Sequence, residues 1–454
     1  MNQKPGKADI LPEPRIIPRS AHNLSRKNIS KGALRVLYRL HEAGFRACLV
    51  GGAVRDLLLG IKPKDFDVAT NATPEEVRHL FRNCRLIGRR FRLAHVMFGR
   101  EIVEVATFRG FGDGDDDARR VVDGRLVRDN VWGDIEEDAR RRDFRVNALY
   151  YDIADFSVID YVGGMQDLED RVLRLIGDPE ERYREDPVRM LRAARLAAKL
   201  GFSIDKAARA PFAHLSNLLM EVAPARLFDE SLKLFMAGRA ADSFHTLEQL
   251  DLLKALFPST VRQLAKRDTV LRDMVEQCLV NTDQRVAEDR PVTPAFLFAV
   301  LLWGEVRDRV QALINEGLEP SLAWQRASHR VVAEQVGHVA IPRRFTCAME
   351  EIWMLQPRFA RRTRKRTFRL LEHPRFRAAY DFLLLRGTES DDMRELGEWW
   401  TQAQELPPDR LAAELDNKPT GKTDDESPAE AGENRRSKRR GGRRRRRKSP
   451  NAEK

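Results

Sequence analysis

The periodicity of the sequence changes once, near residue 165, and that change restricts the fold more than any other feature. Upstream, strand-like runs such as "ACLV", "EIVEVATF" and "RVNALYYDI" are interleaved with helix-like segments. Downstream, apolar residues recur almost entirely at helical spacing, as in "DPVRMLRAARLAAKLG", "RLFDESLKLFMAG" and "FRAAYDFLLLRG". This pattern predicts an α+β protein, with a small mixed sheet and helices in a head followed by helical domains. At 454 residues the chain is too long for one compact core. The expected division is a mobile segment at 1–24, the head at 25–165, helical domains at 166–270 and 271–405, and a disordered basic tail at 406–454. Within the head, "RGFGDGDDDARRVVDGRLVRDN" at 109–130 is too long and too rich in Gly and Asp for a hairpin loop, and reads as a mobile arm.

Composition narrows the compartment and the partners. The longest apolar run, "AFLFAVLLW" at 295–303, is far short of the roughly 20 residues a membrane helix needs, so no transmembrane segment is expected. The first thirty residues lack the apolar stretch of a signal peptide. Cys48, Cys84, Cys278 and Cys347 form no CxxC pair and read as reduced thiols, which points to the cytoplasm. Of the +12 net charge, all but one is accounted for by the 11 basic residues of "RRSKRRGGRRRRRK" at 435–448. A polyanion gripped by Arg435, Arg436, Lys438, Arg439, Arg440, Arg443 and Arg444 is the natural reading.

The chemistry centres on "KPKDFDVAT" at 62–70. On a strand, Asp65 and Asp67 share one face about 7 Å apart, while Phe66 and Val68 point into the core. A half-exposed strand explains such a pair by itself. The alternative is a seat for a hard divalent cation, which would relieve the like-charge repulsion. Nearby residues favour the second reading. Gly51 and Gly52, in "VGGAVRD", let backbone N–H groups approach phosphate oxygens, and Arg55 can pair with phosphate in a planar fork. Asp143, in "RRRDFRVNALYYD", and Glu104, in "EIVEVATF", are rival third carboxylates. In "EDPVRMLRAARLAAKLG", Asp186 caps a helix, Pro187 opens it and Gly201 ends it. Arg189, Arg192, Arg195 and Lys199 form one stripe of that helix. The stripe is either a solvated face or a surface for a nucleotide or RNA.

Three stretches now carry a resemblance: "LVGGAVRDLLLGIKPKDFDVATNATPEEV", "RRDFRVNALYYD" and "REDPVRMLRAARLAAKLGF". They resemble the hallmark motifs of class II nucleotidyltransferases, the group of bacterial poly(A) polymerases and CCA-adding tRNA nucleotidyltransferases. The likeness implies a polymerase-β-like nucleotidyltransferase head, then a helical neck, body and tail. It implies that Asp65 and Asp67 bind catalytic Mg²⁺, with Mn²⁺ as a substitute, and that Asp143 acts beside them with Asn147 as its neighbour. Gly51, Gly52 and Arg55 would hold the triphosphate of ATP, and Asp186 and Arg189 would read the base, with Arg192 also facing the nucleotide. Arg145 stands where the family often has threonine.

"LIGRRFRLAHVMFG", "RLLEHPRFRAAYD" and the arginine-rich tail favour the poly(A)-adding branch. The implied activity is that of a polynucleotide adenylyltransferase. It would transfer AMP from ATP to RNA 3′ ends without a template, release pyrophosphate and promote RNA decay, with a decay machinery as a candidate partner. The alternatives are a CCA-adding enzyme and a non-catalytic RNA-binding protein on the same fold. "RFARRTRKRTFR" at 358–369, seven of whose twelve residues are basic, is a further candidate for RNA contact or else a solvated helix face.

Overall fold

The alternating apolar runs of the head assemble into strands, seen in a computed structural model that describes residues 13–88, 92–111, 119–122, 125–129 and 131–417. In chain order these are β1 (Arg15–Ile17), β2 (Ala47–Val50), β3 (Asp67–Thr70), β4 (Cys84–Ile87), β5 (Leu93–Phe98) and β6 (Glu101–Thr107). A hairpin of β7 (Arg119–Val122) and β8 (Arg125–Asp129) follows, then β9 (Leu149–Asp152) and β10 (Val158–Asp160). Eight of them form one sheet in the order β1-β10-β9-β2-β3-β6-β5-β4, in which β3 and β6 are the parallel pair. Two short strands, β11 (Val172–Leu173) and β12 (Ser203–Ile204), pair separately.

Successive side chains of the central strands serve opposite faces. Leu49, Val68, Leu149 and Tyr151 join the large core, whereas Cys48, Val50, Ala69, Ala148 and Tyr150 pack on the other side with Phe108 and Ile135. Both faces are therefore covered, which explains why "ACLV" is an unbroken apolar run.

The helices begin where capping chemistry allows. Ser30 caps α1 (Lys31–Glu42), which turns Ala33, Val36, Leu37 and Leu40 inward. Gly51 leads into α2 (Gly52–Leu58), and Thr73 and Glu76 form a capping box on α3 (Pro74–Leu80). Asp134 and Glu137 do the same for α4 (Ile135–Arg141). Then come α5 (Gly164–Asp170), α6 (Pro179–Glu185) and α7 (Val188–Leu200). α7 starts one residue later than its sequence suggests. Asp186 still accepts the Val188 N–H at 3.3 Å, and Gly201 ends the helix at φ +66°.

Beyond β12 the described residues are helical, and one apolar core runs from Ile17 to Leu385, so the head and the helical domains share it within a unit that reaches Glu405. A smaller cluster of Leu355, Phe359, Leu370, Phe376, Tyr380 and Trp400 sits near the end of that unit. A second unit begins at Leu406, and its described part contains the helix Pro408–Asn417. None of the described helices is long and apolar enough to cross a membrane. All four cysteines are unpaired.

Three expectations change. Order begins before residue 24, because Ile17 and Leu24 are buried and β1 pairs with β10. The 109–130 arm contains the β7–β8 hairpin, its "RRVV" and "RLVRD" runs having found each other. Residues 408–417 are helical. The segments 1–12, 112–118 and 418–454, and with them the candidate RNA-binding cations from Arg435 to Arg444, lie outside the described residues.

Candidate functional site

Strand register brings the acidic residues together. Asp67 opens β3 opposite Val50, the last residue of β2, and stands beside Glu104 of β6. Glu104 in turn faces His95 of β5, with Nε2 at 3.2 Å from its carboxylate. Asp65 precedes the strand and is exposed. Asp67 is also open to solvent, yet the protein atoms around it, then the charges of Glu104 and Asp65, push its carboxyl up to about 6 against the pull of Arg142. Crowding of this kind suits a divalent cation. Among the described residues no three metal-ligating side chains form a ready-made cage. The aspartate pair thus fits an ion such as Mg²⁺, which completes its shell with water and phosphate oxygens.

The glycine turn lies against the same acids. Gly51 has φ +75° and ψ −137°, a conformation essentially confined to glycine. A Cβ there would sit 4.0 Å from Asp67 Oδ2 and 3.6 Å from Arg142 Nη1. Gly52 is packed over Arg55, whose Nη2 would lie 3.4 Å from an added Cβ. Arg55 is 3% exposed and its fork is already engaged. Nε and Nη2 donate to Asp56 Oδ1 at 2.9 and 2.6 Å, and Nη1 donates to Asn147 Oδ1. As it stands, Arg55 supports the turn from beneath, and it would have to exchange partners to grip a phosphate directly.

That support belongs to a closed circuit of side chains. Lys199 Nζ donates to Asp56 Oδ2 at 2.7 Å, Asp56 holds Arg55, and Arg55 holds Asn147. Asn147 Nδ2 reaches Asp143 Oδ1 at 3.5 Å, and Asp143 Oδ2 meets Arg192 Nη2 at 2.6 Å. Lys199 and Arg192 both lie on α7, two turns or about 10 Å apart along its axis. The glycine turn and the Asp143–Asn147 segment are thereby bound to one helix. Burial alone would raise the Asp143 carboxyl, but Arg192, the Phe144 N–H, Arg189 and Asn147 bring it down to about 2. Of the two rival third carboxylates, register sets Glu104 beside Asp67, whereas Asp143 is committed to Arg192.

Arg142 is a site residue that sequence reading did not single out. Nε and Nη2 bind Asp138 Oδ2 at 3.1 and 2.9 Å, and Nε also donates to the Tyr150 hydroxyl at 2.8 Å. Nη1 remains on the side of Gly51 and Asp67. The "RRRD" run signalled cations before Asp143 but not which would turn inward. Arg140 pairs with Glu136 and Arg141 donates to Gly110 O.

The base-reading candidates form another ion-paired group. Both oxygens of Asp186 accept from the Arg226 fork, at 2.8 and 2.6 Å. Arg189 Nη1 donates to Glu185 at 2.6 Å and to Arg182 O at 2.7 Å. Arg182 in turn donates to the carbonyls of Arg141 and Arg142, and its pKa falls to about 10 through burial and the nearby Arg189. Arg226, forty residues beyond Asp186, left no local signal in the sequence.

The α7 stripe is matched throughout: Arg189 with Glu185, Arg192 with Asp143, Arg195 with Glu230 and Lys199 with Asp56. Two of these carboxylates, Asp56 and Asp143, belong to the head, and two, Glu185 and Glu230, to helices on either side of α7 in the sequence, so the stripe is not a bare solvated face.

Comparison with known proteins identifies the family. Residues 47–174 match the family described as Poly A polymerase head domain, 201–264 the probable RNA and SrmB-binding site of polymerase A, and 316–448 the polymerase A arginine-rich C-terminus. The chain is 52% identical over 420 residues to Poly(A) polymerase I of Escherichia coli O6:H1, which covers 90% of each. It is 46% identical to that of Haemophilus influenzae, over 86% of this chain and 88% of the relative. A CCA-adding enzyme of Lactobacillus helveticus is 36% identical over 47% of this chain and 51% of the relative. In fold, the chain is similar to Bacillus stearothermophilus CCA-adding enzyme in complex with CTP, at TM-score 0.55 and 23% identity, covering 85% of this chain and 81% of that one. An apo tRNA-processing enzyme gives TM-score 0.58 at 21% identity, over 86% and 98%.

Proposed function

The chain belongs to the bacterial poly(A) polymerase I family, and from that premise we propose how its residues carry out the reaction. It is a nucleotidyltransferase that adds AMP from ATP to RNA 3′ ends without a template. The observation that carries the reading is the meeting of Asp65, Asp67 and the Gly51–Gly52 turn in a chain 52% identical to such enzymes.

Backbone amides of Gly51 and Gly52 receive the triphosphate, and Arg142 adds positive charge from the side of Asp67. Mg²⁺ or Mn²⁺ held by Asp65 and Asp67 would lower the pKa of the RNA 3′-hydroxyl and offset the charge of the leaving group. The 3′-hydroxyl gives its proton to water as its oxygen attacks the α-phosphorus, an O–P bond forms, and the bond to the β-phosphate oxygen breaks with its electron pair leaving on pyrophosphate. Glu104 raises the negative charge around Asp67 and so strengthens its demand for a cation. Asp143 and Asn147 keep Arg55 and the turn in place from the α7 side. Asp186 retains acceptor capacity beyond the Arg226 fork and accepts from the amino group of adenine, while Arg189 donates to a ring nitrogen.

The match at 201–264 supports contact with RNA and with a protein partner at that segment. The substrates of this reaction support a cytoplasmic setting, and the cations of 435–448 supply a sequence-independent grip on RNA. Supplying ATP or CTP singly with an unrelated RNA tests the reading. Long ladders with ATP alone are expected. CTP-dependent addition of a few nucleotides confined to tRNA would instead establish the CCA-adding alternative.

A further inference from the structure

Arg358, Arg361, Arg366 and Arg369, with Leu370 and His373, line a cavity of about 350 Å³ in the helical body. Arg358 comes from the last turn of the helix Arg343–Phe359 and Arg361 from just beyond it, while Arg366 and Arg369 lie on the helix Arg364–Leu371. All four arginines are exposed. Their support is rigid. Phe359 and Leu370 are buried with Phe376, Tyr380 and Trp400, and Trp400 Nε1 donates to Phe359 O at 3.1 Å.

These arginines gather around one opening without matching acids. Many arginines of the helical domains are paired, as in Arg272–Glu248, Arg307–Asp268, Arg309–Glu334 and Arg386–Glu389. Among the described residues none of the four forms a salt bridge. Glu319 senses Arg361 only weakly, being held chiefly by Ser321 and Leu322 at the start of its own helix. Four cations around one opening repel each other until an anion enters. Guanidinium forks suit phosphate oxygens. Apart from the His373 imidazole the lining offers no aromatic ring and no side-chain amide, so four guanidinium groups dominate it and phosphate oxygens are the ligand atoms they suit best.

We propose that this basin holds phosphodiester groups of the RNA strand that is being extended. The identity of the strand rests on the function proposed above; the anion chemistry does not.

The test uses the whole chain and a fluorescently labelled mixed-sequence single-stranded RNA, with binding followed by anisotropy across a salt series. Arg366→Ala/Arg369→Ala should flatten the plot of log Kobs against log salt by about 1.4, since each lost contact to a single strand removes about 0.7. Arg366→Lys/Arg369→Lys should keep the slope. Arg358→Gln/Arg361→Gln, changed from the other wall, should flatten it similarly and guards against a fold defect in one pair. An unchanged slope in a variant that melts like the parent overturns the proposal. AMP addition to the same RNA is measured in parallel. A parent chain that adds no AMP while the variants lose slope overturns the function and leaves the basin standing; AMP addition with unchanged slopes does the reverse.

Discussion

Asp67 and Asp143 are carboxylates of one site whose surroundings push them in opposite directions. Asp67, crowded by protein atoms and two like charges, is short of positive partners. Asp143 is saturated with them. Asp65→Asn and Asp67→Asn should therefore each lower the AMP-transfer rate on the order of 10³-fold, equivalent to about 4 kcal/mol of transition-state stabilisation, and leave RNA anisotropy nearly unchanged. Extension that survives either change would remove the metal assignment.

For Asp143 the consequence concerns stability. Its folded pKa lies below the unfolded one, so its contribution is complete above about pH 4 and fades as the pH falls toward 2. The amount is about 2 kcal/mol. Arg192→Met leaves a buried charge unpaired and should cost about 3–5 kcal/mol near neutral pH, and urea titrations from pH 7 to 3 should show less of that acid-dependent loss. An equal loss in parent and variant would contradict this. The sequence displayed the DxD pair and the glycine turn because each is local. Arg142 and Arg226 were hidden, since which member of an arginine run turns inward, and what lies forty residues away, depend on tertiary packing.

At the scale of elements, α7 is the part of the sequence read most fully and also least completely. Its Gly201 exit and its two faces follow from spacing alone, while its start falls one residue beyond the expected one, with Pro187 at the cap position. The cationic stripe suggested water or a polyanion because its partners Asp56, Asp143 and Glu230 are scattered along the chain. Similarly, "RVNALYYD" read as one strand divides into a short 3-10 turn and β9, because Asn147 must meet Arg55. Lys199→Met should release Asp56 and loosen Arg55. Lys199 is 40% exposed at its side chain, so the loss is about 1 kcal/mol, seen as a several-fold fall in kcat/KM for ATP with RNA affinity unchanged. Lys199→Arg should restore most of it. A fall in RNA affinity alone would contradict the positioning role.

At the scale of the molecule, the change of periodicity near 165 correctly announced a mixed head and helical continuation. It did not announce that one core would run through both, because burial between distant segments leaves no mark on local spacing. The cluster around Trp400 is a satellite of that core. Trp400→Ala should destabilise it by about 3–5 kcal/mol. Amide exchange should then rise across 355–400 and stay slow in the sheet; uniform acceleration would show that the satellite does not unfold by itself.

If the glycine turn holds the triphosphate as proposed, the loop of contacts that leaves α7 at Lys199 and returns at Arg192 would make occupancy of that seat and rigidity of the helix two readouts of a single equilibrium. By thermodynamic reciprocity, whatever ATP does to the dynamics of α7, an agent that clamps α7 must do to the affinity for ATP.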